Sequence, residues 1–443
     1  MPSTSSILPT LSTTPQIHRI PHLTTQPDFA TDLHAAYHPS SQPPQPFWLS
    51  LYNYDGKDSV HAKITPRAGG GLEVDVEGVQ VEGRGETSFW LLHPDGTRTL
   101  FLAPVRQYEG LTPTTTLSIS PTRSHLLLGS TDGRLQIVDA ADGTLRRELK
   151  GHVGDVTSAR FFPSGVVVLS GAMDMRVRIW GMDGACAAVL EGHGGRITDT
   201  AIVERGRNIL TSSQDGTIRL WDCGSARVLA KIAPGAGGIN QMSLGVEVVN
   251  ADGEVVDGVG GAEIDPAETG TDNKLLFAVT ENGSLLGYNL RTRFLIFSAH
   301  SPTSASLTSV HYSPETHCVA AGAADGVVVV WDVREPSTPI TAFKRNEAAI
   351  THVRILGPPS SSSIPSDEIV LVVATGDGTL STLSIPLTGS GALPPRIVTE
   401  YVGADVDPLY AFDVAAGGAE ETEVVAAGRD GVVRFYAGVS WEE

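Results

Sequence analysis

A repeat of fixed length in the middle of the chain constrains the fold more than any other feature of the sequence. Two segments, which begin at Gly151 and Gly192, open with Gly-His, close with Trp and share an order of apolar and polar residues. Three pairs of equivalent residues are each 41 positions apart: His152 and His193, Asp174 and Asp215, Trp180 and Trp221. A strict period of about 20–50 residues indicates an array of similar units that stack on one another.

A turn signal recurs more widely than the full repeat. In seven places an Asp or Asn is followed six residues later by an apolar or aromatic residue, at Asp132, Asp174, Asp215, Asn282, Asp325, Asp377 and Asp430. In six of these places Gly follows directly, and Asp-Gly or Asn-Gly favours a tight hairpin. Together with the Gly-His opening and the Trp-Asp ending, this pattern resembles WD40 repeats. The predicted fold is therefore all-β, a seven-bladed WD40 β-propeller preceded by a small β-rich N-terminal domain.

The repeats leave the first hundred residues outside the propeller. We expect the propeller over residues 97–443, a Pro-rich and largely disordered segment at 1–46, and the small β-rich domain at 47–95. The nine prolines of the first segment favour extended or disordered chain, because proline fixes φ and removes a backbone donor. Alternating apolar and polar runs favour strands in the second. An alternative is that the second region is an eighth, degenerate blade.

One short helix is predicted within the Pro-rich segment. Phe29, Leu33 and Tyr37 would share one face of it, and Asp28 would be its N-cap. His34 and His38 lie one turn apart on the same helix. They are interpreted as solvated side chains rather than metal ligands.

The last blade needs an outer strand from elsewhere, because only seven residues follow Tyr436. The β-rich run at 97–105 is predicted to supply this strand and so to remove exposed sheet edges. A hairpin is predicted at residues 72–83. Surface insertions are expected at 246–273, 357–367 and 387–395.

Each complete repeat carries four polar or aromatic side chains that can form one hydrogen-bonded chain. The two sets are His152, Ser170, Asp174 and Trp180, and His193, Thr211, Asp215 and Trp221. A carboxylate covered by its neighbours must be paired, and imidazole and indole N–H groups can supply the donors. A catalytic triad is the competing interpretation, but the arrangement is repeated and lacks a GxSxG nucleophile turn. We therefore interpret both sets as structural.

Composition narrows the classes of function. The net charge of −19 disfavours nucleic-acid binding and favours a basic protein partner. No apolar run is long enough to span a bilayer. Three scattered cysteines, Cys186, Cys223 and Cys318, argue against a disulfide framework and favour a reducing compartment, the cytoplasm or the nucleus. A monomer is expected.

Motifs of enzymes are absent from the sequence. It contains no GxxxxGK[ST] phosphate loop, no GxGxxG after a strand and no HExxH, and its histidines do not cluster with cysteines at zinc spacing. We therefore predict a protein that is not an enzyme, with no catalytic residue, metal or cofactor.

Two stretches are more specific than a general WD40 pattern. RFFPSGVVVLSGAMD and DTAIVERGRNILTSSQDGTIRLWDCG resemble the proteasomal ATPase-associated factor 1 family, whose fungal member is a regulatory-particle assembly chaperone. The resemblance implies a chaperone that holds a proteasomal ATPase subunit by its C-terminal domain while the base of the 19S regulatory particle assembles.

An acidic surface would suit such a partner. Five acidic residues are expected in loops on the face that carries the Gly-His and Asp-Gly turns: Asp155, Glu281, Glu347, Asp405 and Asp407. Carboxylates there would attract a basic helical domain and speed its capture. The opposing interpretation is that each carboxylate is merely solvated.

Two other roles compete with this one. Trp331-Asp332-Val333-Arg334 resembles the WDxR ending by which some propellers dock on a cullin-4 ubiquitin ligase adaptor. The Asp332–Arg334 pair also has an ordinary use as a salt bridge within a turn. A general scaffold in another complex is the third possibility, because a fold does not specify a function.

Overall fold

The computed structural model is nearly all β-sheet. It describes residues 15–38, 44–52, 58–67, 71–111, 113–232, 237–246, 264–335, 337–356, 368–387, 394–404, 407–416 and 422–436. Among the helices of these ranges, none is long and apolar enough to cross a membrane.

The described residues of the N-terminal part form nine strands and one helix. These are β1 (Ile17–Arg19), β2 (His22–Thr25), α1 (Phe29–Tyr37), β3 (Phe47–Tyr52), β4 (Val60–Pro66), β5 (Leu72–Val74), β6 (Gln80–Gly83), β7 (Ser88–Leu92), β8 (Arg98–Leu102) and β9 (Arg106–Glu109). Strands β2 to β5 form an antiparallel sheet of their own.

Blades 1 to 4 each contain four antiparallel strands in chain order. Blade 1 is β10 (Thr114–Ile119), β11 (His125–Ser130), β12 (Leu135–Asp139) and β13 (Leu145–Leu149). Blade 2 is β14 (Val156–Phe161), β15 (Val167–Ala172), β16 (Val177–Gly181) and β17 (Cys186–Leu190). Blade 3 is β18 (Ile197–Val203), β19 (Asn208–Ser213), β20 (Ile218–Asp222) and β21 (Arg227–Ile232). Blade 4 is β22 (Ile239–Val246), β23 (Lys274–Thr280), β24 (Ser284–Asn289) and β25 (Leu295–His300).

Blades 5 to 7 include strands from the N-terminal part. Blade 5 is β26 (Leu307–Ser313), β27 (Cys318–Ala323), β28 (Val327–Asp332) and β29 (Pro339–Lys344), with β1 parallel to β29. Blade 6 is β30 (Ile350–Leu356), β31 (Glu368–Thr375), β32 (Leu380–Pro386) and β33 (Arg396–Tyr401), extended by β8, β7 and β6. Blade 7 is β34 (Leu409–Ala416), β35 (Thr422–Gly428) and β36 (Val432–Tyr436), completed by β9.

The ring closes with seven blades, which confirms the predicted fold class. The inner strand of blade 7 meets that of blade 1, where the Ile119 amide donates to Asp413 Oδ2 at 2.9 Å. A recurring contact joins neighbouring blades elsewhere: the hydroxyls of Thr115 and Thr157 donate to the carbonyls of Val156 and Ile197, at 2.6 and 2.7 Å. Because no place is left in the ring, the N-terminal part is not an eighth blade.

The strand that closes the ring is not the predicted one. Residues 97–105 contain β8, which pairs in parallel with β33 of blade 6. The next strand, β9, pairs with β36 and completes blade 7. Pro104 separates the two, and a proline lacks the N–H that a ladder needs. Both runs have the apolar pattern of a strand, and that pattern does not specify which sheet edge each one meets.

Part of the segment that was expected to be disordered forms regular secondary structure. Residues 17–37 form two strands and a helix, so the expectation of a largely disordered segment at 1–46 is wrong for this part. The reason is long-range burial: Ile20, Leu23 and Phe29 belong to one hydrophobic core with residues of blades 5 and 6. The predicted helix forms as α1, although Asp28 makes no side-chain capping bond.

The predicted hairpin at residues 72–83 is also wrong. Strand β5 pairs with β4, whereas β6 pairs with β7, so the two halves of this segment join different sheets. Of the predicted insertions, residues 357–367 lie outside the described residues, as do 247–263 and 388–393. Residues 264–273 pack on blade 3, where Arg227 binds Asp265 through two hydrogen bonds of 2.7 and 3.0 Å.

Candidate functional site

The four side chains singled out in the first repeat lie together in blade 2. His152 Nδ1 lies 3.0 Å from Asp174 Oδ2, and His152 Nε2 lies 2.7 Å from Ser170 Oγ. The Trp180 indole N–H donates to the same Ser170 oxygen at 2.8 Å. The hydrogen bonds therefore connect the third strand of the blade to the second strand, the second strand to the loop that carries His152, and this loop to the turn that carries Asp174.

Blade 3 repeats this arrangement. His193 bridges Asp215 Oδ2 and Thr211 Oγ1, each at 2.8 Å, and the Trp221 indole donates to Thr211 at 2.8 Å. The Gly194 amide adds a bond to Asp215 Oδ2 at 2.8 Å. This last contact ties the Gly-His loop directly to the Asp-Gly turn.

The electrostatics of both sets suit a structural role. Burial lowers the pKa of His152 and of His193, and the hydrogen bonds that the two imidazoles donate to Asp174 and Asp215 only partly offset this effect. Burial acts to raise the pKa of Asp215, but bonds from Thr217, Gly194 and His193 outweigh this and lower it. His193 is therefore a neutral imidazole that donates to the ionised carboxylate of Asp215, and His152 makes the equivalent contact with Asp174.

A hydrolytic function does not fit this geometry. Ser170 and Thr211 are fully buried, so no substrate can reach either hydroxyl. Each hydroxyl oxygen already accepts an indole N–H and contacts an imidazole. The arrangement fixes two loops relative to each blade and supplies no nucleophile.

These loops define the candidate site, which we call the upper face. It consists of the loop before the first strand and the loop between the second and third strands of each blade. In an antiparallel blade these two loops lie at the same end of the sheet. Four of the five acidic residues lie in them: Asp155 before β14, Glu281 after β23, Glu347 before β30 and Asp407 before β34. Asp405 lies outside the described residues.

The acidic residues differ in the number of hydrogen bonds and ion pairs that their carboxylates form. Glu281 accepts bonds from the Gln214 side chain and the Gly238 amide, so it joins blades 3 and 4 while it remains exposed. Glu347 forms an ion pair with Lys344 and lies 3.8 Å from Arg19. Nearby cations therefore offset the charge of Glu347 more than that of Glu281.

The sequence reasoning missed an apolar part of the upper face. Val153, Met173 and Met175 of blade 2 are 73%, 42% and 45% exposed. They lie beside Asp155, whose carbonyl accepts the Met173 amide at 2.9 Å. Exposed methionine is common on surfaces that adapt to a protein partner.

One signal in the sequence could have pointed to this patch. Asp174 is the single member of the seven turn positions that is not followed by Gly. Met175 takes the place of that Gly with φ of 62°, whereas Gly216 has φ of 80° at the equivalent place in blade 3. A side chain in this left-handed region costs about 1–3 kcal/mol relative to Gly.

The WDxR sequence lies at the opposite face, after the third strand of blade 5. Arg334 binds Asp332 through two parallel contacts, Nε to Oδ1 at 2.9 Å and Nη2 to Oδ2 at 2.6 Å. The guanidinium thus already serves as a salt bridge within its own turn. This geometry favours the ordinary use of the pair over the docking motif.

The centre of the ring offers no comparable site. It holds a channel of about 480 Å³ whose charged groups are paired across blades. Asp199 accepts from Arg160 at 3.2 Å and from the Met242 amide at 3.2 Å, and Asp413 binds Arg354. The acidic and basic side chains of the channel therefore balance one another.

Comparison with known proteins agrees with this architecture. The family model described as "WD domain, G-beta repeat" matches residues 143–181, 184–222 and 291–332. The chain is 34% identical to human proteasomal ATPase-associated factor 1 over 400 residues, which is 88% of this chain and 93% of the human protein. It is 34% identical to the probable proteasomal ATPase-associated factor 1 of Dictyostelium discoideum, over 71% of this chain and 72% of that protein. It is 31% identical to the 26S proteasome regulatory subunit RPN14 of Saccharomyces cerevisiae, over 50% of this chain and 53% of that protein.

Proposed function

Because the chain belongs to the proteasomal ATPase-associated factor 1 family, we propose that it is a non-enzymatic chaperone that binds a proteasomal ATPase subunit. In this proposal it holds the C-terminal domain of that subunit and assists assembly of the base of the 19S regulatory particle. It acts as a monomer in the cytoplasm and nucleus.

The observation that carries the proposal is the composition of the upper face. Blade 2 presents Val153, Met173 and Met175 beside Asp155, and Glu281 lies in a turn of blade 4. Exposed apolar side chains at the centre of an interface supply most of the affinity, and charges at its rim raise the association rate. A partner with a basic, partly apolar helical surface would complement both features.

The buried hydrogen-bonded chains of blades 2 and 3 add to this argument. They connect the Gly-His loop of each of these two blades to its Asp turn before a partner arrives. A preorganised surface loses less conformational entropy when it binds. Blade 2, which presents the apolar patch, is therefore one of the two blades that carry the complete hydrogen-bonded chain.

The test measures binding of the full chain to the isolated C-terminal domain of each proteasomal ATPase subunit. One variant replaces Val153, Met173 and Met175 by Ser. A second neutralises the acidic residues through D155N, E281Q, E347Q, D405N and D407N. Matched controls at the opposite face are V166S, which changes an exposed apolar turn residue, and the pair E315Q and E335Q.

We expect one ATPase domain to bind. The Ser variant should raise the Kd at least tenfold, mainly through faster dissociation. The neutralised variant should associate more slowly and with a weaker dependence on salt, since fewer charges attract the partner. Both controls should bind like the unmodified chain. Binding to no ATPase domain, or equal effects at the two faces, would contradict the proposal.

A further inference from the structure

Three side chains that can act as metal ligands meet near the end of helix α1: His34 lies in the helix, His38 is the residue that follows it, and Glu86 lies in the loop between β6 and β7. His34 Nδ1 lies 2.8 Å from Glu86 Oε2, and His38 Nε2 lies 2.6 Å from Glu86 Oε1. The two imidazole rings face each other with centroids 4.7 Å apart. Both histidines are exposed, as the sequence suggested, but position in the chain could not show that Glu86 lies between them.

This grouping is distinctive within the part of the chain that the structure describes. It is the one set there of three or more His, Cys, Asp or Glu residues whose ligand atoms all lie within 4.8 Å of one another. We propose that His34, His38 and Glu86 form a binding site for a divalent transition-metal ion, with Zn²⁺ as the ion best suited to it.

The donor atoms match the chemistry of zinc. Zn²⁺ binds imidazole nitrogen and carboxylate oxygen at about 2.0–2.2 Å, and three protein ligands leave a fourth position for water. Neighbouring ligand atoms of a tetrahedral site with such bonds are about 3.3 Å apart. The nitrogens and Glu86 oxygens are now in direct hydrogen-bond contact, so a small outward rotation of these exposed side chains makes room for the ion. Ca²⁺ and Mg²⁺ prefer sites made of oxygen ligands, so this donor set discriminates against them.

The scaffold below the three ligands is well packed. Phe29 and Leu33 on the opposite face of α1 are fully buried in the core shared with blades 5 and 6. Phe29 meets Phe89 of β7 edge to face, with ring centroids 5.1 Å apart. Helix and loop therefore keep their relative position without a metal. A site that is preorganised in this way loses little entropy when it binds an ion.

A bound ion would cross-link two elements that are far apart in the chain. It would connect α1 to the strand pair that extends blade 6, and so stabilise the N-terminal part against local unfolding. This inference is independent of the proposed function, because it concerns neither the upper face nor the ATPase.

The test uses the full chain without an affinity tag, freed of metal by dialysis against a chelator. Zn²⁺ is titrated by calorimetry, and Co²⁺ is used as a spectroscopic probe because a tetrahedral Co²⁺ site gives visible d–d absorption. The unmodified chain should bind one Zn²⁺ per molecule, gain the Co²⁺ absorption and melt at a higher temperature with Zn²⁺.

Three variants locate the site. E86Q keeps the shape of the side chain and should weaken Zn²⁺ binding by about tenfold or more, and H34A/H38A should abolish it. The matched control is H61A, which removes an exposed histidine of the same region outside the cluster. It should bind Zn²⁺ like the unmodified chain.

Two results would overturn the proposal. One is the absence of saturable Zn²⁺ binding and of the Co²⁺ absorption in the unmodified chain. The other is binding that E86Q and H34A/H38A leave unchanged. If the double variant does not fold, E86Q and the Co²⁺ spectrum of the unmodified chain still decide the question.

Discussion

Arg345 and Glu400 form an ion pair inside the protein, with Nη2 and Oε1 2.6 Å apart and side chains 8% and 4% exposed. Arg345 follows the last strand of blade 5, and Glu400 lies on the last strand of blade 6. The same guanidinium donates to the Leu23 carbonyl of β2 at 2.9 Å. One side chain thus connects two blades to the N-terminal part.

Replacing Arg345 by Met should lower the free energy of unfolding by about 3–5 kcal/mol, because Glu400 would remain buried without its partner. The double variant R345M/E400L should recover most of this loss, since no buried charge is left. The control is R396A, which removes an exposed partner of Glu368 and should cost no more than about 1 kcal/mol. Urea unfolding measures all three, and an R345M variant as stable as R396A would show that the pair does not hold these elements together.

Replacing Trp180 by Phe should cost more stability than replacing Trp331 by Phe. Both indoles are buried, but only Trp180 donates a hydrogen bond to a described residue, Ser170. The loss of ring volume is the same in both variants, so the difference isolates the hydrogen bond, at about 0.5–1.5 kcal/mol. Thermal or urea unfolding of the two variants checks this. Equal losses would mean that the chain of bonds in blade 2 adds nothing to ring packing.

Stability should fall as the pH drops below about 6.5, and His22 should contribute to the fall. Burial and then Arg345 lower the pKa of His22 to about 4, while Asp377 acts to raise it. Between pH 6.5 and pH 4 the unfolded chain therefore takes up a proton that the folded chain does not. This favours unfolding by up to about 1.4 kcal/mol per pH unit. H22F should show a shallower pH profile of urea midpoints between pH 7.5 and pH 4.5; parallel profiles would exclude His22 as a source of the slope.

Replacing Met175 by Gly should separate stability from binding. Gly adopts a positive φ without strain, so M175G should unfold with a free energy equal to or up to about 1 kcal/mol above that of the unmodified chain. The same change removes an exposed apolar side chain from the upper face and should weaken binding of the ATPase domain. Unfolding and binding measured on one preparation give both values. A variant that loses stability, or that binds unchanged, would contradict our interpretation of Met175.

Much of the proposed binding surface could be predicted from local sequence patterns. The loops of the upper face are defined by turns that Asp and Gly favour on their own, so their positions could be read from residue type and spacing. The patch of Val153, Met173 and Met175 was missed because exposure depends on what other elements cover. Glu86 was missed as a partner of His34 and His38 for a related reason, since 48 residues separate it from the nearer histidine.

The sequence by itself determined the unit of the fold. A 41-residue period, seven turn signals and strands of alternating polarity are local properties, and blades 1 to 6 are each built on four strands that follow one another in the chain. Only the tertiary structure decided which distant edges meet: β1 on blade 5, β8 on blade 6 and β9 on blade 7. The physical reason is that an unpaired sheet edge accepts any strand of suitable length and polarity. Whether a segment forms a strand therefore depends on its own residues, whereas the edge with which it pairs depends on the rest of the fold. The N-terminal part is held against blades 5 and 6 by the hydrophobic core that it shares with them. Polar contacts add to this, such as those of Arg345 with Glu400 and with the Leu23 carbonyl.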